Sequence, residues 1–476
     1  MRRELLLNDN QLNEMKNKFY AILAEMGIGK THSIKTVALP WAFEKSMRIL
    51  ILTHRTTLKV QTENETQELR EKYHSLFRGN TVEIVNYQKI VHDYMNDKKE
   101  EWLNKYDMVF FDEAHCIVTD SWNGSTDYIV QFLEEINVPR VLVTGTPKYL
   151  MPLIEKWKAE ILRTIDVTNT DIEQIRFYQK QETFIKELKI SVSDSCKVLA
   201  FVNGSSNRIL DLSTKLGASF ICSKSNILYP FADKEIISEI ENNEVNLSTN
   251  LICATSVWNE GINIKDPQFK AVASFFPRRV DDVYQQFARA RESNIAGCVL
   301  VPTNQMLSGI MMKNNEELEK NDLSFTRRIF LNEHNKEIRE ILSCNGGFKE
   351  YFMRRYPTIQ CIDVDEINYD NKICDFLDSL VGTKLFKEED LSQISNTDLN
   401  KITIKNMTQE EFIETMIEEF RIRGNQGQKN IKMTVIKKWL DEKNYNYKLE
   451  PNRDRSRKSP TYGKSFWIIE KLIDKD

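Results

Sequence analysis

Between residues 18 and 303 the chain alternates short, almost wholly apolar runs with longer mixed segments. The first series is FYAILA (19–24), RILILT (48–53), TVEIVNY (81–87), YDMVFF (106–111) and RVLVT (140–144). The second is KVLAFV (197–202), ASFIC (218–222), NLICAT (250–255), AVASFF (271–276) and CVLVPT (298–303). Little alternation within a run is how a strand reads when both faces of its sheet are covered. The intervals leave room for crossover helices, so the pattern predicts an α/β parallel sheet built twice, with a boundary near 160–175. After about 310 the strand runs thin out, and Glu-, Lys- and Asn-rich helical patterns such as TQEEFIETMIEEFRIR (408–423) take over. Near the end, Val435, Ile436, Trp439 and Leu440 lie at helical spacing, and Phe466, Trp467, Ile468 and Ile469 read as a closing strand. Between them stand Arg453, Arg455, Arg457 and Lys458, close to Tyr462. A helix followed by a basic hairpin is compatible with a winged-helix module.

Composition narrows the classes. With 476 residues, 29% charged and 41% hydrophobic, the chain is neither fibrous nor wholly disordered. No apolar run approaches the ~18–20 residues that span a bilayer. The start, MRRELLLNDNQLNEMK, is too short in its apolar part and too polar for a secretory signal. The expectation is a soluble, non-secreted protein, in the cytoplasm or at a site of genome replication. Eight cysteines without a CxxC pair fit a reducing compartment and argue against a disulfide framework or a zinc site. The net charge of −4 conceals an asymmetry: residues 421–464 hold thirteen Lys and Arg against four acids. A basic stretch with an aromatic nearby suits a phosphate backbone, and a solvated loop is the alternative.

AEMGIGKT (24–31) follows the first strand directly and matches the tail of a GxxxxGK[ST] loop, with Ala24 where the first glycine usually stands. In such a loop Gly27, Ile28 and Gly29 turn backbone N–H groups toward phosphate oxygens, and the helix that starts there adds its dipole. Lys30 would reach the β- and γ-phosphates, and Thr31 would ligate Mg²⁺. YDMVFFDEAH (106–115) ends an apolar strand in two carboxylates. Asp112 can hold the metal and Glu113 can orient or deprotonate the attacking water. His115 either couples this site to a neighbour or simply bonds a nearby loop. Phosphate loop and acidic strand end together predict a nucleoside triphosphatase using ATP and Mg²⁺.

With both motifs present the chain resembles superfamily 2 helicases, and further motifs follow in order: THRTTL (53–58), NYQK (86–89), VTGTP (143–147), FVNGSSN (201–207), ATSVWNEGINI (254–264) and YQQFARAR (284–291). Within that superfamily it looks most like the herpesvirus origin-binding protein type of replication helicase, on its Ala-x-Met-Gly-x-Gly-Lys-Thr loop and the spacing of Gln285, Arg289 and Arg291. Ala288 replaces the usual glycine, Glu292 stands where the commoner spacing has its second arginine, and Asn263 replaces a frequent Asp. The resemblance implies two tandem RecA-like parallel-sheet domains closing on one ATP. Gly261 and Asn263 would lie at the nucleotide, and Gln285, Arg289 and Arg291 would come from the second domain. It implies strand contacts at Arg55, Thr56, Thr144, Thr146, Asn203, Gly204, Ser205 and Thr255. Apart from the resemblance, the charge of Arg453, Arg455, Arg457 and Lys458 suggests a second nucleic-acid contact.

The domains expected are 1–165 and 166–308, both RecA-like, then 309–425, a helical accessory region, and 426–476, the basic module. The function expected is an ATP-dependent helicase or translocase acting on single-stranded or forked DNA, with replication proteins as partners, in replication of a virus, phage or plasmid. RNA unwinding, or an ATP-controlled initiator that does not unwind processively, are the alternatives. Asp363, Asp365, Glu366 and Asp375 read as surface acids, with no metal site among them.

Overall fold

The computed structural model describes residues 5–25, 28–54, 82–165, 172–192, 196–203, 206–223, 226–242, 244–255, 258, 264–290, 295–392, 407–418, 420, 431–443, 445–457 and 459–472. It falls into two compact units, Met1–Asp363 and Val364–Asp476.

The first unit holds two all-parallel sheets. Sheet one has the order β3-β2-β4-β5-β1-β6. Its strands are β1 (Phe19–Ala24), β2 (Ile49–Thr53), β3 (Val82–Asn86), β4 (Met108–Asp112), β5 (Arg140–Thr144) and β6 (Glu160–Ile165). Every residue of β1, β2, β4 and β5 is buried. Successive residues of β1 feed opposite cores: Phe19, Ala21 and Leu23 join one, and Tyr20, Ile22 and Ala24 the other. A strand covered on both faces has no polar side to show, which is why these runs read so clearly. The N-terminal Leu6 and Leu7 lie in the second of these cores.

Sheet two has the order β13-β7-β12-β11-β8-β10-β9. Its strands are β7 (Ile172–Tyr178), β8 (Lys197–Val202), β9 (Ser219–Ile221), β10 (Leu251–Thr255), β11 (Phe269–Phe275), β12 (Ile295–Leu300) and β13 (Gln360–Asp363). The chain therefore passes from the first lobe to the second between β6 and β7. Between β12 and β13 it runs through helices α3 (Asn304–Leu318), α4 (Phe325–Ser343) and α5 (Gly347–Arg355). Two earlier helices matter to the site and are labelled α1 (Thr126–Glu135) and α2 (Val280–Phe287).

Helix α4 docks on the first lobe. Asp127 of α1 accepts the N–H groups of Phe325 (2.8 Å) and Thr326 (2.9 Å) at the start of α4. Ile329 and Phe330 pack on the first lobe's core. The chain then returns to the second lobe, where β13 pairs with β7.

The second unit runs α6 (Val364–Asp378), β14 (Lys384–Phe386), α7 (Gln409–Glu418), α8 (Met433–Glu442), β15 (Tyr447–Arg453) and β16 (Ser465–Lys471). Its antiparallel sheet has the order β14-β16-β15. Among the described residues a short helix, Glu388–Leu391, also follows β14, and a hairpin whose last strand lies between the others is compatible with the winged-helix expectation. One core joins Ile373, Leu377 and Leu385 to Phe412, Ile436, Leu440 and Ile469. The residues from 364 onward thus pack with 426–476, and the division between units falls at 363/364, where the sequence lines were drawn at 308/309 and 425/426. In the expected core stripe, Ile436 and Leu440 are buried and Val435 and Trp439 pack at its rim.

Candidate nucleotide-hydrolysis site

At the end of β1 the chain turns into a helix beginning at Lys30 (Lys30–Ser33). Gly29 caps it at φ 110°, a left-handed conformation that a side chain would strain. The helix continues through a wider π turn, Ile34–Ala38, a distortion frequent at functional sites. Ile28 packs against the core beneath. The Lys30 ammonium is buried and donates to the carbonyl oxygens of Ala24 (2.9 Å) and Glu25 (3.1 Å). The Thr31 hydroxyl donates to Asp112 Oδ2 at 2.8 Å. Asp112 stands at the end of β4, so the sheet order sets phosphate loop and acid on one edge. Burial, then the neighbouring Glu113, pushes the Asp112 carboxyl above its ordinary range, while Thr31 and Lys30 pull it back. A hydroxyl and a carboxylate side by side are the hard oxygen donors that Mg²⁺ takes. Glu113 sits at φ 55°, a strained backbone for a side chain of its size, with its carboxylate 3.6 Å from His115 Nδ1.

His115 leads out of this site toward the second lobe. Its Nδ1 lies 3.0 Å from Thr144 Oγ1 at the end of β5. Thr144 Oγ1 also accepts the Thr146 N–H at 3.1 Å. From the second lobe, Gln285 on α2 donates through Nε2 to Thr146 Oγ1 at 2.9 Å, and the same nitrogen lies 3.4 Å from His115 Nε2. The Gln285 amide thus meets both Thr146 and the His115 ring. All four side chains are buried. Thr144 and Thr146, expected at a strand, therefore spend their hydroxyls inside the cleft between the lobes. Arg289 follows Gln285 in the turn that ends α2 and is also buried, its carbonyl bonded by the Ile264 N–H at 3.0 Å.

Three features hold α2 in that cleft. Gly297 on β12 lets it approach: a Cβ there would meet the Phe287 ring at 2.5 Å and Ile175 at 2.9 Å. Glu337 of α4, fully buried, accepts the Val280 N–H at the start of α2 (3.0 Å) with one oxygen and the Tyr149 hydroxyl of the first lobe (2.7 Å) with the other. Arg279 lies over the Tyr149 ring, 5.3 Å from its centroid, and pairs with Asp282. Neither Glu337 nor Tyr149 was singled out from sequence. A glutamate in a mixed helix carries no local sign that the fold will bury it.

The remaining candidates divide. Asn203 and Thr255 lie just past β8 and at the end of β10, on the carboxyl edge of the second sheet. Gly27, Arg55, Thr56, Gly204, Ser205, Gly261, Asn263, Arg291 and Lys458 lie outside the described residues. In the first lobe His54, which precedes Arg55, pairs with Asp120, and Tyr87 donates to the same carboxylate at 3.0 Å. Asp363, expected on the surface, is half-buried and paired with Lys349 at 2.8 Å.

In the second unit the turn between β15 and β16 is organised by buried Asp454. It accepts the Thr461 hydroxyl (2.5 Å) and the Ser456 N–H (2.9 Å). Burial raises this carboxyl, but the hydroxyls of Ser459 and Thr461 and the Ser456 N–H outweigh it and bring it to about 2. One of the four local acids is therefore structural. Arg453 donates to the Gly463 carbonyl at 2.8 Å, and Arg455 and Arg457 stand exposed with Tyr462.

Residues 4–149 match the family model described as "Type III restriction enzyme, res subunit". No curated protein matches the chain. Among solved structures, it is similar to Saccharomyces cerevisiae Dbp5 bound to RNA and ADP BeF3, at 15% identity over 67% of this chain and 90% of that one, TM-score 0.48. It is also similar to a DEAD box protein from Methanococcus jannaschii, at 16% identity over 65% and 88%, TM-score 0.32. The res-subunit match covers the first lobe, the part of the chain that carries the phosphate loop and the acidic strand end.

Proposed function

We propose that the chain is an ATP-dependent nucleic-acid helicase or translocase whose substrate is DNA in the replication of a virus, phage or plasmid. The observation that carries the motor reading is the Gln285 amide of the second lobe bonded to Thr146 and set against His115 of the first. Glu113, 3.6 Å from the His115 ring, and α2 are then joined by a short run of buried polar contacts.

In this reading Lys30 and the loop around Gly27 hold the β- and γ-phosphates, and Gly261 and Asn263 meet the nucleotide from the second lobe. Thr31 and Asp112 would hold Mg²⁺, which would supply neutralisation of charge on the phosphates. Glu113 orients and deprotonates the attacking water. Arg289, with Arg291, neutralises charge developing on the transferred phosphoryl group, an effect worth ~10³–10⁵ in rate where arginine fingers act. His115, Thr144, Thr146 and Gln285 report hydrolysis to the second lobe, whose movement carries the strand. Arg55, Thr56, Asn203, Gly204 and Thr255 hold the strand's backbone, and Arg453, Arg455, Arg457 and Lys458 add a second basic contact. Such contacts are largely independent of sequence.

The DNA and replication assignments rest on the motif likeness to the herpesvirus origin-binding type and on the basic module. The test measures ATPase stimulation and strand displacement on matched DNA and RNA substrates, with Lys30→Ala as control. Stimulation and displacement on DNA are expected, and both are lost in the control. Stimulation by RNA alone overturns the DNA assignment, and stimulation without displacement of long duplexes favours an ATP-controlled initiator.

A further inference from the structure

The second lobe carries a cavity that the hydrolysis machinery does not use. It has a volume of about 320 Å³ and lies where β8, β11 and β12, neighbours in the sheet, end. Asn203 and Phe276, the residues just past β8 and β11, line it together with Arg278. Helix α3 closes the far side with Gly309, Ile310 and Lys313. Strand ends of this kind are where ligands sit in parallel α/β sheets. The volume is at the lower end of the ~300–1,000 Å³ range of small-molecule sites, so it suits one nucleotide and not a duplex.

Four independent features mark this space as built. Gly309 stands in the middle of α3, where glycine weakens a helix, yet a Cβ added there would meet nothing within 4 Å. No neighbour demands the glycine, and what it preserves is the opening. Phe276 is held at φ 46°, a left-handed backbone that is costly for an aromatic residue and that accumulates at functional sites. The Asn203 amide nitrogen is buried with no hydrogen-bond partner among the described residues, an unspent donor at the wall of the cavity. Arg278 and Lys313 are exposed at the cavity and form no ion pair among the described residues.

We propose that this cavity takes one unstacked base of the bound strand. The faces of the base lie against Phe276 and Ile310, an acceptor on its edge takes the Asn203 amide, and Arg278 and Lys313 take the flanking phosphates. The charge decides the occupant: apolar walls with two cations at the cavity match a nucleotide, with its flat base and anionic phosphates, and not a cationic or purely apolar ligand. The inference rests on the reading of the chain as a strand-binding motor and adds a base contact to a grip otherwise made on phosphates.

The test is an abasic scan. A fluorescent single strand is bound to the full chain, and one base is removed at each position in turn. One position is expected to weaken binding about tenfold, the scale of a single stacked base. Gly309→Leu fills the cavity without a clash and without weakening the helix. It should melt no lower than the natural protein, bind the intact strand about tenfold more weakly, and show a flat scan. Asn203→Leu should weaken the intact strand more than the abasic one. A flat scan in the natural protein, with the intact strand bound normally, overturns the base pocket and leaves the motor reading standing. So does a position effect that survives in Gly309→Leu. Competition by free nucleoside monophosphate at the concentration that fills the cavity would make a soluble nucleotide the occupant and overturn the strand assignment. Failure of the natural protein to bind any strand would overturn the motor reading itself.

Discussion

The two lobes share one parallel-sheet plan and use it differently. The first places its chemistry on the strand ends themselves: Lys30 just past β1, Asp112 and Glu113 at β4, Thr144 at β5. The second leaves its strand ends to Asn203, Thr255 and Phe276 and carries its reactive groups on α2, packed across the cleft. On the proposed function, the difference teaches that the first lobe holds the reaction in place and the second senses it through a helix. Strand ends are fixed by ladders on both sides, whereas a helix can shift as a body when its few tethers change.

The largest effect expected is at Arg289. Arg289→Ala should leave nucleotide binding nearly intact and lower strand-stimulated turnover by ~10³ or more, because it removes charge stabilisation made in the transition state. Turnover and nucleotide affinity measured side by side test this. Equal turnover would remove the second lobe from the reaction and break the comparison.

Next comes the seat of α2. Gly297→Val should destabilise the protein by ~1–3 kcal/mol, the usual range for overpacking, and displace Phe287 from β12. It should lower strand-stimulated ATPase more than basal ATPase, since α2 is what the strand must move. Denaturant melts with both ATPase rates check the pair of effects, and equal losses of the two rates would make Gly297 purely structural.

The third effect is on pH dependence. His334 on α4 accepts from the Asn314 amide (3.2 Å) and lies 3.4 Å from the Arg278 carbonyl. Burial, then the positive Arg279, with Arg278 and Arg327, depress the ring to about 4 from 6.5. The unfolded chain therefore binds a proton here before the folded one does. The stability contributed is full above pH 6.5 and is lost as pH falls toward 4, amounting to about 3 kcal/mol at most. His334→Gln should flatten the melting temperature across that window. An unchanged slope would assign the acid sensitivity elsewhere.

What could be read from sequence follows the same physical division. β1, β2, β4, β5, β8 and β10 were legible because every residue in them is buried. Strands β6 and β13 lie at sheet edges, half exposed and polar, and gave no run to see. β7 alternates exposed and buried positions, which hid it in the boundary segment. In the second unit α8 and β16 were visible, but the three residues of β14 carry too little signal to show that 364–386 completes the module. The phosphate loop and the acidic strand end were legible because their chemistry is local in sequence. Glu337 was not, since its two partners, Tyr149 and Val280, come from different lobes and only folding makes it a buried bridge. Thr144 and Thr146 were recognised as important and assigned to a strand, because spacing cannot tell a hydroxyl facing a phosphate from one facing a histidine.

The most direct measurement is a double-mutant cycle across the cleft on strand-stimulated ATP turnover, comparing Thr146→Val, Gln285→Leu and the pair. If one hydrogen-bonded chain joins the lobes, either change breaks it, and the double variant is no slower than the slower single one. Losses that multiply would show the two residues acting independently, and the claim that hydrolysis in one lobe is felt by the other through this contact would fall.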